Sequence, residues 1–325
     1  MAVYRNIKDL NFGRTAVAVG SFDGVHCGHR MLLRRVADLA ALHRIRSVAL
    51  TFWPHPQQAL DPAGKAPLLL NTLDERIALL QQTGVDDVAV FPFDNEMAQM
   101  SASDFIRNII IGKLNARYLV MGQDHHFGKD RGGSVQQLPE FVTQNDLQAE
   151  VVDLKMLNRK ISSSAIRNAL LNGDLNMANE MLGYEYIISG KVIAGNQLGR
   201  TIGFPTANVE IPVYKLLPKE GVYRVKVQTE NNQNPKLSGM MFMGKRTVLQ
   251  QEDTKIHVEV NIFDFDRDIY GQEITLTLTN RIRDNIIFEN IGQLAEQLHR
   301  DKQKIVAIQE DFFIKKKFAH VETLF

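Results

Sequence analysis

The chain has 325 residues, 44% of them hydrophobic, which is enough for two ordinary globular cores and excludes wholesale disorder. Lys and Arg total 38 against 37 Asp and Glu, a formal charge of +1, so no global field draws the chain to nucleic acid or anionic lipid and phosphate binding must be local. A single cysteine excludes an intrachain disulfide, residues 1–10 lack a signal-peptide core, and no apolar run nears the ~20 residues that span a bilayer. The expectation is a cytoplasmic chain with small-molecule partners, no nucleic acid and no membrane.

Residues 15–20 form an apolar, β-rich stretch. The run Gly20-Ser21-Phe22-Asp23-Gly24-Val25-His26-Cys27-Gly28-His29 follows, then a helical pattern with Leu32, Leu33, Val36, Leu39 and Ala40 on one face. Further strands are expected at 47–52, 87–91, 118–121 and 150–154, with helices such as 73–82 and 103–114 between them. This βαβ rhythm predicts an α/β unit: a parallel sheet with helices on both faces and ligands at the carboxyl ends of its strands. Ser162-Ser163-Ser164 reads as an N-cap cluster opening a helix through Leu171, and a short helix at 175–182 ends at Gly183.

After about Tyr184 the pattern changes. Strands are expected at 187–193, 222–229, 239–243, 255–263 and 273–280, the last with Ile274, Leu276 and Leu278 alternating against threonines. Successive strands joined by turns predict an antiparallel β-barrel. A long terminal helix begins at about Ile291, with Ile291, Leu294, Leu298, Ile305 and Ile308 as its buried stripe and Lys315-Lys316-Lys317 at a solvated end. The domain division is 1–183 and 184–325.

A strand, a glycine-bearing turn and a helix N-terminus in that order make an anion site, because N–H groups and the helix dipole point at the ligand. His26 and His29, three apart, share a face there. A structural zinc site at His26-Cys27-His29 lacks further ligands, and nothing else in the chain supports Cys27 as a nucleophile. In Gly195-Asn196-Gln197-Leu198-Gly199-Arg200-Thr201-Ile202-Gly203-Phe204-Pro205-Thr206-Ala207-Asn208, glycines allow close approach to phosphate, and Thr206 and Asn208 offer the hard oxygen ligands that magnesium takes beside a nucleotide. Glu259 stands among apolar strand residues, where a charge is either solvent-facing or functional.

The first run resembles the HxGH nucleotidyltransferases. Its wider wording is similar to the bifunctional riboflavin kinase/FMN adenylyltransferase (FAD synthetase) family. Four more segments resemble that family in order, covering nearly the whole chain: Thr51-Phe52-Trp53-Pro54-His55-Pro56, Gly122 through Arg131, Ile161-Ser162-Ser163-Ser164-Ala165-Ile166-Arg167, and the run ending Pro205-Thr206-Ala207-Asn208. The resemblance implies a Rossmann-like adenylyltransferase domain and a riboflavin kinase barrel, with ATP, riboflavin, FMN and FAD as substrates or products and Mg2+ as cofactor. It places His26, His29 and Arg167 at the adenylyl-transfer centre, with Gly20, Phe22, Asp23, Gly24, Gly28, Ser162 and Ser163 around the nucleotide. His55, Asp124, Phe127 and Arg131 fall beside the flavin; His55 is equally read as part of a rigid turn made by two prolines. His125 and His126 stand where the family has an aromatic residue and an arginine. In the barrel it implies Gly199, Arg200, Gly203 and Pro205 around phosphate, Thr206 and Asn208 on the metal, Glu259 as general base, and Arg246, Arg281 and Arg283 near the flavin.

Two departures stand out. Asn261 replaces a common histidine, and the segment 239–247 carries Phe242 near the place of an asparagine and lacks a proline. They leave an alternative in which only the adenylyltransferase is active and the barrel is a degenerate flavin-binding domain. A non-catalytic flavin- or RNA-binding protein is a further alternative, against which the balanced charge argues for the RNA case.

Overall fold

The computed structural model describes residues 2–5, 10, 12–61, 63–123, 146–152, 161–196, 198–230, 232–245 and 255–322, with side chains described except at 198, 232–236 and 309–322. Two units emerge: Met1–Ile166 with Met181–Gly183, and Arg167–Glu180 with Tyr184–Phe325.

The first unit is a six-stranded parallel sheet. Its strands are β1 (Ala2–Tyr4), β2 (Thr15–Val19), β3 (Arg46–Trp53), β4 (Asp87–Pro92), β5 (Ala116–Gly122) and β6 (Gln148–Val152), in the order β1-β4-β3-β2-β5-β6. The strand order reverses between β2 and β5, the place where open α/β sheets bind ligands. Every residue of β2 is buried. Helix α1 (Cys27–His43) buries Leu32, Leu33, Val36, Leu39 and Ala40, as the 3.6-residue period predicts, and lies against β2, β3 and β5.

Short helices α2 (Pro56–Ala59), α3 (Leu73–Gln81), α4 (Asn95–Gln99) and α5 (Ala102–Asp104) follow. The helix expected at 103–114 differs: from Phe105 to Ile111 it winds as a π-helix, and the Gly112 N–H bonds five residues back to Arg107 O at 2.9 Å. That winding sets Phe105, Ile106, Ile109 and Ile110 together on a cluster with Val17, Val19, Val48, Leu50 and Phe91. Strand β1 has no sequence signal, since three residues carry no period; its Ala2 N–H is tied to Asp87 Oδ1 at 3.2 Å.

Helices α6 (Ser163–Asn172) and α7 (Leu175–Leu182) come next. The second unit is then a closed antiparallel barrel of β7 (Ile187–Ile193), β8 (Ala207–Glu210), β9 (Gly221–Thr229), β10 (Asn232–Gly244), β11 (His257–Ile262) and β12 (Glu273–Arg283), ordered β10-β11-β8-β7-β12-β9. Helix α8 (Leu198–Thr201) lies between β7 and β8, and α9 (Ile291–Glu322) is the last described element. Ile274, Leu276 and Leu278 are buried as the alternation requires. β12 outruns its expected end because two register shifts carry the pairing with β9 on to Arg283.

The stripe of α9 is a correction. Among its described residues only Ile305 is wholly buried, with Leu298 and Ile308 half-buried on the same cluster, and the deeply buried neighbour is a charge, Asp301, paired with Arg283. Lys315, Lys316 and Lys317 lie in the helix, outside the described side chains.

Candidate functional site

The site in the first unit grows from the carboxyl ends of two adjacent strands. Gly20 N–H donates to Leu50 O at 3.0 Å, which keeps the start of the segment after β2 beside β3. Residues 20–26 then turn through left-handed backbone at Phe22 (φ 47°), Gly24 (φ 89°) and Val25 (φ 36°). Each such non-glycine residue costs on the order of 1–3 kcal/mol and persists only where its surroundings fix it.

The fixing contacts are specific. Asp23 Oδ1 accepts the Leu70 N–H at 2.8 Å and the Asn71 N–H at 3.4 Å. Ser163 Oγ donates to Asp23 O at 2.8 Å, and Thr51 Oγ1 donates to Ser21 O at 3.2 Å. A Cβ at Gly24 would sit 2.7 Å from Leu70 Cδ1, so both the positive φ and the close approach require glycine. Asp23 thus braces the loop, and Ser163 ties α6 to it.

Two buried histidines cap helices in the same way. His26 is the N-cap of α1, and its Nδ1 accepts the His29 N–H at 3.3 Å. His55 is the N-cap of α2, and its Nδ1 accepts the Gln57 N–H at 3.2 Å. A neutral ring that accepts at Nδ1 carries its proton on Nε2, a tautomer assigned from the hydrogen-bond pattern. Burial pushes His26 down from its ordinary 6.5 to about 4, so it is neutral at pH 7. The His29 ring stacks on His26 at 3.7 Å between centroids and meets the edge of Phe22 at 5.4 Å. The first turn of α1 holds no acidic residue, and Gly28 is buried within it.

Ser162 Oγ accepts the Ala165 N–H at 3.2 Å, the capping expected of the serine cluster. Arg167 is buried in α6 and belongs to the second unit. Asp124, His125, His126, Phe127 and Arg131 lie outside the described residues. Sequence reasoning missed Arg76, a fully buried guanidinium whose Nη1 donates to Phe52 O at 3.2 Å and Thr51 Oγ1 at 3.4 Å. In Leu73-Asp74-Glu75-Arg76 it reads as solvent-facing helix, and only its fixed partner on β3 reveals otherwise.

The site in the second unit surrounds the loop before β8. Phe204 anchors that loop in a cluster with Val222, Met240, Phe263, Ile282 and Ile305. An ideal Cβ at Gly199 would lie 2.2 Å from Phe204 O, so the loop closes on itself only with glycine there, and Phe204 N–H returns to Gly199 O at 2.8 Å. Arg200 and Gly203 are exposed on this turn, as is Pro205. Thr206 Oγ1 donates to Glu259 Oε2 at 3.3 Å. Asn208 pairs directly opposite Glu259 across β8 and β11. Because the Thr206 proton points at the carboxylate, the oxygen lone pairs remain available to a cation.

Arg281 and Arg283 arrive heavily engaged. Arg281 Nη2 donates to Glu220 O and to Asp284 Oδ1, both at 2.7 Å, and its Nε donates to Tyr223 OH at 3.3 Å. Hydrogen bonds from Arg281 and Lys219 hold the Asp284 carboxyl down to about 2. Arg283 Nε meets both Asp301 oxygens at 2.9 and 3.1 Å, and its Nη1 donates to Asp284 O at 3.0 Å. Phe242 is half-buried on the Phe204 cluster, while Arg246 lies outside the described residues.

A parallel sheet with a strained loop at a helix N-terminus, and a closed barrel with a Thr-Glu-Asn cluster where β8 pairs with β11, define a two-part chain of the nucleotidyltransferase and flavokinase kinds. The FAD synthetase family model matches residues 9–165 and the riboflavin kinase model residues 182–309. A bifunctional riboflavin kinase/FMN adenylyltransferase of Bacillus subtilis (strain 168) is 35% identical over 294 residues, 90% of this chain and 92% of that one. The protein of the same description from Haemophilus influenzae is 36% identical over 293 residues, 88% and 91%. The chain belongs to the bifunctional riboflavin kinase/FMN adenylyltransferase family. A crystal structure described as a macrolide-efflux protein from Streptococcus pneumoniae also superposes with a TM-score of 0.80 and 33% identity, over 93% of this chain and 97% of that one. Among the described residues here, no helix is long and apolar enough to cross a membrane.

Proposed function

We propose that the chain phosphorylates riboflavin to FMN in residues 184–325 and adenylylates FMN to FAD in residues 1–183, both from ATP. The observation that carries this reading is the pairing, in one chain, of the capped histidine loop after β2 with the Thr206–Glu259 contact facing Asn208. Its cytoplasmic setting and purely small-molecule partners belong to the same proposal.

In the first step Glu259 accepts the proton of the riboflavin 5′-hydroxyl as that oxygen attacks the γ-phosphorus and ADP leaves. Thr206 and Asn208 would hold Mg2+, and the fit is good, since magnesium favours one or two oxygen ligands beside substrate phosphates over a full protein cage. The ion would supply charge neutralisation on the phosphates. Gly199, Arg200, Gly203 and Pro205 would frame the phosphate path. Arg281 and Arg283 would shape the flavin wall through the segment they hold.

In the second step an FMN phosphate oxygen attacks the α-phosphorus and pyrophosphate leaves. The protein supplies position and donors rather than a nucleophile. His26 and His29 at the start of α1, with backbone N–H groups around Gly24 and Gly28, would hold the phosphate oxygens. Ser162 would act on the leaving pyrophosphate, and His55, Asp124, Phe127 and Arg131 on the flavin side. The test is incubation with riboflavin, ATP and magnesium followed by chromatography of the flavins. FMN and then FAD are expected; no conversion of either flavin by the folded protein overturns the reading.

A further inference from the structure

We propose that Asn261 is a positioning residue for the loop that presents Thr206, an inference that rests on the kinase reading above. The residue is 6% exposed, and its Nδ2 donates to Pro205 O at 2.7 Å. Two residues earlier on the same strand, Glu259 Oε2 accepts the Thr206 hydroxyl. Residues 259 and 261 share one face of β11, because side chains alternate along a strand and Val258, Val260 and Ile262 occupy the other. Consecutive side chains of that face therefore grip consecutive residues of the loop.

The grip replaces something the backbone does not supply. The β11–β8 ladder pairs Val260 with Ala207 and Glu259 with Asn208. Pro205 and Thr206 lie just before this pairing begins. Pro205 has no N–H, so its carbonyl is the one main-chain handle there, and a carbonyl only accepts. Asn261 provides the donor. On the other side Phe204 is fixed by packing. Without the amide, the side-chain hydrogen bond that remains on these two residues, among the described residues, is the longer 3.3 Å contact of Thr206 to the group proposed as general base. Misplacement of about 1 Å in such a loop costs up to 10²-fold in rate.

The experiment uses the full chain with Asn261→Ala, Asn261→Asp and Asn261→His. Ala removes the donor, Asp keeps the shape but faces the carbonyl with an acceptor, and His restores a donor. The readouts are KM for ATP and for riboflavin, the half-saturating magnesium concentration, kcat for FMN formation, and FAD formation from added FMN as an internal reference. Asn261→Ala and Asn261→Asp are expected to raise the ATP and magnesium constants about tenfold while the riboflavin KM stays within about twofold. Asn261→His returns the ATP and magnesium constants to within about threefold of native, and FAD formation is unchanged in all three. Native ATP and magnesium dependence in Asn261→Ala overturns the inference, as does a parallel loss for ATP and riboflavin that His does not rescue. If Asn261→Ala does not fold, the Asp and His pair decides in the same terms. Absence of FMN from the unsubstituted chain overturns the kinase reading itself, which separates that failure from this one.

Discussion

Replacing Asp301 tests how α9 is fastened to the barrel. The Asp301 side chain is 3% exposed and that of Arg283 is 15% exposed, and they meet at 2.8 Å between Nη2 and Oδ2. Gln297 Nε2 adds a hydrogen bond to Oδ1 at 2.9 Å. Removing one member of a buried pair leaves the other charge without compensation, which costs about 3–5 kcal/mol, whereas replacing both by apolar side chains of similar volume is often nearly neutral. Asp301→Ala is therefore expected to destabilise the second unit by about 3–5 kcal/mol, and Arg283→Met/Asp301→Leu by far less than the sum of its single changes. Urea unfolding followed by far-UV circular dichroism and by loss of FMN formation reads the second unit. Trp53, the only tryptophan, lies in β3, so its fluorescence reads the first unit and should not move. A loss below about 1 kcal/mol in Asp301→Ala, or additive single changes in the double variant, refutes the reasoning. The double variant also separates two roles of Arg283: an unchanged riboflavin KM there means that the arginine serves the flavin only by holding its segment.

Gly24→Ala should cost about 2–5 kcal/mol, combining left-handed strain with the overlap on Leu70, and should lower FAD formation while FMN formation persists. His26 has a folded pKa of about 4 against an ordinary 6.5. The unfolded chain binds that proton first, so the stability is present above pH 6.5 and is lost as pH falls toward 4, by roughly 3 kcal/mol in the first unit. Trp53-monitored unfolding should show that slope, and His26→Asn should flatten it; an unaltered slope in the variant would assign the loss to other groups. Glu259→Gln should lower FMN formation by about 10²–10⁴-fold with FAD formation from added FMN intact, and a near-native kinase rate would remove Glu259 as the base.

What the sequence conveys is local period, and the elements it marks well are those whose burial follows one. Leu175–Leu182 and Ile187–Ile193 appear at their expected bounds, and the Ile274-Leu276-Leu278 alternation lies inside the barrel. Strand β1 is too short to carry a period, and the π-winding over Phe105–Ile111 changes the period itself. Asp301 and Arg76 read as solvent-facing because their partners are remote in sequence, at Arg283 and on β3. The same holds at the candidate site. Gly24, His26 and Ser163 are visible as motif letters. That Asp23 is bonded to backbone 47 residues away, or that His26 accepts at Nδ1, depends on tertiary placement that no local pattern encodes.

On the proposed reading, the two sites hold polyphosphate by different means, and the chain's charge of +1 makes that difference matter. In the first unit the buried His26 is neutral and the Asp23 carboxylate is turned to backbone N–H groups. An arriving phosphate would then meet a ring donor and a helix N-terminus. Such donors, fixed in advance by capping and stacking, strengthen as negative charge builds and need no reorganisation at the moment of reaction. In the second unit the hydroxyl of Thr206 is turned proton-first to Glu259, so one contact both orients a base and leaves an oxygen for a cation. Acidification from pH 6.5 toward 4 acts on the first device through His26. The second depends on the placement of Pro205 and Thr206, so the two activities should be separable by substitutions that leave each other's unit untouched.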